Sequence, residues 1–99
     1  MSLLVHYTLK SASDKSLLVE AMTTFVDALK AEAIAGLTYS CFSTDDPVKF
    51  VGVLEFPDEA TKAAFVASSA FETYRATVAS ILASPPEAKA LQPIGSTRG

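Results

Sequence analysis

The 99-residue sequence contains no tryptophan and no asparagine, one histidine (His6) and one cysteine (Cys41). A single thiol excludes an intramolecular disulfide framework and suits a reducing compartment. The four glycines, Gly36, Gly52, Gly95 and Gly99, stand alone, so no glycine-rich loop is available to cradle a phosphate. The one His and one Cys lie far apart and the carboxylates show no ligand spacing, so no metal site is expected. Charge is sparse, at 19% of residues, and the eight Lys and Arg are scattered singly, which argues against a nucleic-acid footprint. No apolar run approaches the roughly 18 residues of a membrane span. Met1-Ser2-Leu3 leads straight into a strand-like run, without a basic segment and cleavage site. The expectation is a soluble, cytoplasmic protein that meets neither membrane nor nucleic acid.

What the sequence has is apolar bulk: 49% AVILMFWYC, with a net charge of −3 and a mean hydropathy of +0.31. Its length suits one domain over residues 1–99. A domain of this size buries only about two-thirds of its unfolded surface, so the apolar surplus points to self-association.

Leu3–Leu9 is rich in β-formers and reads as a first strand. Ser13 or Asp14 is placed to cap a helix over about residues 14–34, in which Leu17, Leu18, Ala21, Met22, Phe25, Ala28 and Leu29 recur at helical spacing. Gly36 suits its close. Residues 37–42 and 48–56 read as two strands joined through the turn Ser43-Thr44-Asp45-Asp46-Pro47. Pro57-Asp58-Glu59 opens a second helix, with its acidic pair near the positive end of the dipole. Ser68-Ser69 marks a break. Phe71, Tyr74, Val78, Ile81 and Leu82 then carry an apolar stripe to Pro85-Pro86, which cannot continue a helix. Residues 87–94 read as a weak strand, with Pro93, which lacks a ladder donor, at a sheet edge or a strand end, and 95–99 as a tail.

The order βαββαβ predicts an α+β, ferredoxin-like fold: a four-stranded antiparallel sheet with two helices on one face. Alternation puts Leu3, Val5, Tyr7 and Leu9 on one side of the first strand and Leu4, His6 and Thr8 on the other. In the third strand Val48, Phe50, Gly52, Leu54 and Phe56 share a side, opposed by Val51 and Val53. An open antiparallel sheet should present a polar second face. With apolar residues on both faces, a partner sheet is expected to cover the side the helices leave open, giving a dimeric α+β barrel, a homodimer closed through the sheet face.

Almost the whole chain resembles the antibiotic biosynthesis monooxygenase-like members of the dimeric α+β barrel superfamily. The resemblance rests on Leu3–Leu9, the hairpin ending Val53-Leu54-Glu55-Phe56, and the stretch from Asp58-Glu59-Ala60 to Ser68-Ser69-Ala70-Phe71. Pro85-Pro86-Glu87 and Leu91-Gln92-Pro93-Ile94 fit as well. It implies cofactor-independent oxygenation of a small aromatic, quinol or polyketide-like substrate; the alternatives are a non-catalytic ligand-binding dimer and the stress-responsive barrel type, which often begins with a histidine in strand one. Where members carry His-x-x-Ser-x-x-Phe in helix two, Phe65 stands in place of the histidine while Ser68 and Phe71 are kept. The Asn and Trp of several catalytic branches have no counterpart, and the haem-degrading branch lacks its iron-binding histidine here. No cofactor is implied.

His6, whose ordinary pKa lies near neutrality, is the candidate general base; alternatively it lies hydrogen-bonded in the interface between sheets. Tyr7, Tyr39 and Tyr74 are candidates to orient an aromatic ligand, or else plain core. Phe65, Phe71, Phe50 and Phe56 would form the apolar wall. Arg75 is placed either to bind an anionic oxygen or, as a helix arginine, to face solvent. Cys41 reads as an inert buried thiol.

Overall fold

A computed structural model describes residues 1–95 and residue 97. Four strands, β1 (Ser2–Thr8), β2 (Thr38–Ser43), β3 (Lys49–Glu55) and β4 (Glu87–Leu91), form one antiparallel sheet in the order β2-β3-β1-β4. Three helices accompany it: α1 (Lys15–Glu32), α2 (Glu59–Val66) and α3 (Ser69–Val78). The expected second helix is thus two helices meeting at Ser68. Its hydroxyl accepts from Phe71 N at 3.1 Å and donates to the Phe65 carbonyl at 2.7 Å, capping α3 while tying it to α2.

Several boundaries differ from the sequence reading. Neither Ser13 nor Asp14 caps α1 through its side chain; Ser11 instead caps a short 3-10 turn, Ala12–Asp14, that leads into it. α1 ends with Ala33, not Gly36, in the left-handed conformation (φ 51°). Gly36 is also left-handed, at φ 77°, in the turn beyond. α3 stops at Val78 although the apolar stripe continues, because Leu82 leaves the helix to pair with Leu9 at the end of β1. Lys10 N donates to the Ile81 carbonyl and Ala83 N to the Thr8 carbonyl, so tertiary pairing overrides the helical period there. β4 closes at Leu91, leaving Pro93 outside the ladder. The expected tail falls partly outside the described residues.

The core lies between the sheet and the helices, where Tyr7, Phe50 and Leu54 from the sheet meet Leu18, Phe25, Phe65 and Val78. The opposite face is open. Its register rows run Ser40–Val53–Leu4–Lys89 and Phe42–Val51–His6–Glu87. Val51, Val53 and Leu4 therefore form an apolar centre, with Phe42 half exposed at one edge and charged residues on the other.

Candidate aromatic cavity

Between the sheet and α2 and α3 lies a cavity of about 880 Å³. All five residues expected to contact a ligand, Tyr7, Tyr39, Phe65, Phe71 and Tyr74, line it. Strand alternation explains the first two, which point from β1 and β2 toward the helices. The Ser68 cap holds the ends of α2 and α3 together and thereby brings in the other three. Phe50 and Phe56, expected in the wall, are buried in the core and are not among the lining residues.

His6 is elsewhere. It is exposed, on the open face beside Val51 and Glu87, and the sheet separates it from the cavity. The expectation of His6 as general base for a ligand held by the tyrosines does not fit this placement, because neighbouring residues on a strand project to opposite sides. The position suits the other expectation, a residue of an interface between sheets.

The cavity wall is an aromatic cluster. Tyr74 stacks on Phe25 with ring centroids 4.4 Å apart, Phe25 meets Tyr39 edge-on at 5.3 Å, and Phe65 packs on Phe71 at 5.0 Å. Tyr7 and Tyr39 share a hydrogen bond of 2.7 Å between their hydroxyls. Gly52 makes that bond feasible. A Cβ on Gly52 would lie 2.6 Å from Tyr39 Oη, so the bare backbone of β3 lets the Tyr39 ring cross the strand toward Tyr7. An isolated glycine inside a strand is a sequence signal for close approach, and it could have revealed this contact.

Tyr74 completes the trio differently. Its hydroxyl approaches that of Tyr7 closely enough to affect its ionisation but not in hydrogen-bonding geometry, so Tyr74 Oη is a buried polar atom with no partner. Burial drives Tyr39 and Tyr74 well above the ordinary tyrosine range and also raises Tyr7, where the Tyr39 and Tyr74 hydroxyls offset part of the rise. At neutral pH they are hydrogen-bonding phenols, not bases. Cys41, half buried, is also raised by desolvation, as befits an inert thiol.

Three cations line the cavity as well: Lys10 beyond β1, Lys62 on α2 and Arg75 on α3, whose guanidinium lies 5.8 Å from the centre of the Phe71 ring. Sequence reasoning missed Lys10 and Lys62, because their convergence depends on the Leu9–Leu82 pairing and on the angle between α2 and α3. No Asp, Glu or His among the described residues lines the cavity. Among the described residues, no group of three or more His, Cys, Asp and Glu is gathered where it could hold a metal ion, and no helix is long and apolar enough to cross a membrane.

Sheet order and helix placement define a ferredoxin-like α+β protein, with an aromatic cavity between the two layers. No family model matches the chain, and no curated protein matches it. Solved structures do. A provisionally named antibiotic biosynthesis monooxygenase from Caulobacter crescentus superposes with a TM-score of 0.84 at 9% identity, over 95% of this chain and 89% of that one. Another so named, from Nitrosomonas europaea, gives 0.79 at 21% identity, over 96% and 100% of the two chains. A Mycobacterium tuberculosis protein gives 0.80 at 16% identity, over 97% and 96%. The chain is antibiotic biosynthesis monooxygenase-like in its fold.

Proposed function

We propose that this chain is a monooxygenase-like protein whose cavity binds a small aromatic molecule of the phenol or quinol class. One observation carries the reading: the unpartnered Tyr74 Oη beside the Tyr7–Tyr39 pair, in the wall of an aromatic-lined cavity. A buried hydroxyl without a partner costs roughly 1–3 kcal/mol. That hydroxyl is closed off from open space, so a ligand oxygen recovers the cost once binding shifts the wall enough to reach it, with its ring packing against Phe25, Phe65 and Phe71.

Cofactor-independent oxygenation of a quinol balances without another reductant. One quinol and one O2 give one hydroxyquinone and one water; the four electrons that reduce O2 come from the quinol, and one oxygen atom enters the ring. The step requires the ionised quinol, the form that readily gives up an electron to O2. With His6 across the sheet and no carboxylate in the lining, the substrate's own acidity must supply that form. The same observation favours a second reading, a binding protein that holds such a molecule without oxidising it. A homodimer closed through the Leu4, Val51 and Val53 face is part of the proposal, supported by the apolar centre of that open surface and by the position of His6 on it.

The test combines titration with 1,4-dihydroxynaphthalene, followed by ligand fluorescence under nitrogen, and oxygen uptake with the same compound in air. Saturable binding weakened by Tyr74→Phe supports the reading. Uptake above the protein-free blank makes the protein an oxygenase, and binding without uptake makes it a binding protein. Absence of saturable binding overturns both.

A further inference from the structure

We infer that the cavity is selective for aromatic anions, the ring lying inside and an ionised carboxylate or phenolate meeting Lys10, Lys62 and Arg75. This rests on the proposed binding of an aromatic molecule and narrows it to one charge class.

The cations are unevenly placed for a chain of net charge −3 with eight basic residues. Among the described residues, three of the seven basic side chains border this one cavity, from three separate stretches of the chain, and no carboxylate shares the lining. The groove between α1 and α3 is the opposite case: among the described residues it is lined by Glu20 and Glu32 and by no Lys or Arg. Glu59 and Glu72, on the same helices as Lys62 and Arg75, are exposed and outside the cavity. None of the three cations has an ion-pair partner among the described residues, so their charge is not cancelled in place.

The second observation is the orphan hydroxyl. Tyr74 is 4% exposed and its Oη, closed off from open space, has no partner, so a ligand oxygen that shifts the wall enough to reach it gains a polar contact beside the apolar bed. A flat ring with one neutral oxygen and one anionic group would match tyrosines, phenylalanines and cations at once. Selecting the anion also answers the lack of a base. A ligand that arrives ionised, or is held ionised by nearby positive charge, needs no protein group to remove its proton.

Two probe arms separate the sources of the negative charge. For the carboxylate arm, 2-naphthoate and 2-naphthol are titrated at pH 7 and low salt, the acid being ionised and the naphthol neutral. Naphthoate should bind about tenfold tighter, and in the Lys10→Gln/Lys62→Gln/Arg75→Gln variant the ratio should fall to about twofold or less. For the phenolate arm, 4-nitrophenol is titrated with acid in the presence of saturating protein and its visible absorbance followed. An apolar cavity alone raises the apparent pKa of a bound phenol, whereas nearby cations lower it. A downward shift supports the inference, as does the naphthoate preference. Both arms negative, with naphthol and nitrophenol still bound, overturn the charge selectivity and leave aromatic binding standing. If no probe binds, both conclusions fall. Thermal melts of the glutamine variant verify that it is folded.

Discussion

Gly52→Ala is the most informative single substitution. The added methyl would sit 2.6 Å from Tyr39 Oη and 3.1 and 3.3 Å from two of its ring carbons, so the whole ring must move and not merely its tip. Overpacking of this kind costs roughly 1–3 kcal/mol. Movement of Tyr39 also breaks its 2.7 Å bond to Tyr7 and leaves a buried hydroxyl without a partner, which costs roughly another 1–3 kcal/mol. Against this, replacing a strand glycine by alanine recovers roughly 0.5–1 kcal/mol of chain entropy. The net expectation is a loss of about 3 kcal/mol, with a fall in Tm of roughly 10–20 °C for a domain of this size. Urea unfolding measures the loss. Tyr39→Phe removes the atom in closest conflict, so the double variant Gly52→Ala/Tyr39→Phe should be more stable than the sum of the two single changes by about 1 kcal/mol or more. A neutral or stabilising Gly52→Ala, or strictly additive costs in the double variant, would show that Tyr39 does not lie across β3 as described.

Alkaline pH should unfold the protein through its tyrosines. Their folded pKa values are raised, so the stability they confer is full below the unfolded value near 10 and is lost as pH rises from there toward the folded values. Each buried phenol contributes a loss of about 1.4 kcal/mol per pH unit in that window; absorbance of tyrosinate should rise together with unfolding, and ionisation in the folded state at pH 10 would contradict this. At the acid end Asp58 behaves oppositely. Hydrogen bonds from Thr61, the backbone N–H first and then the hydroxyl, hold its carboxyl below the usual range, so the cap is intact above the unfolded value and is lost as pH falls through the folded one; Asp58→Ala should flatten that part of the acid titration. Ser68→Ala removes the cap of α3 and the tie to α2, at about 1–2 kcal/mol in urea unfolding, and should weaken aromatic binding because Phe65 and Phe71 are no longer held in place. Val53→Lys puts a charge at the centre of the open face; sedimentation should show twice the 10.4 kDa chain mass for the parent and a single chain for the variant, and a single-chain mass for the parent overturns the proposed dimer.

Much of the architecture was legible because strands and helices impose periods on side chains. The two-residue period of β1 separates Tyr7 from His6, and that of β2 and β3 sends Tyr39 and Leu54 to the same side as Tyr7. Ser68-Ser69 was readable as a break because serine competes for backbone hydrogen bonds. The helix expected to run on toward Pro85 was not readable as ending at Val78. Ile81 and Leu82 continue its apolar period, and only the pairing of Leu82 with Leu9, 73 residues away in the chain, removes them from it.

The sequence by itself determined the order of elements, the sheet face on which Tyr7 and Tyr39 lie, and the apolar character of Leu4, Val51 and Val53 on the other. These follow from spacing along the chain, and spacing is local. Only the tertiary structure decided that Tyr39 crosses Gly52 to reach Tyr7, that Tyr74 Oη is left without a partner, and that Lys10, Lys62 and Arg75 border one cavity. Each of these depends on how separate elements approach one another, a distance set by packing rather than by any repeat in the sequence.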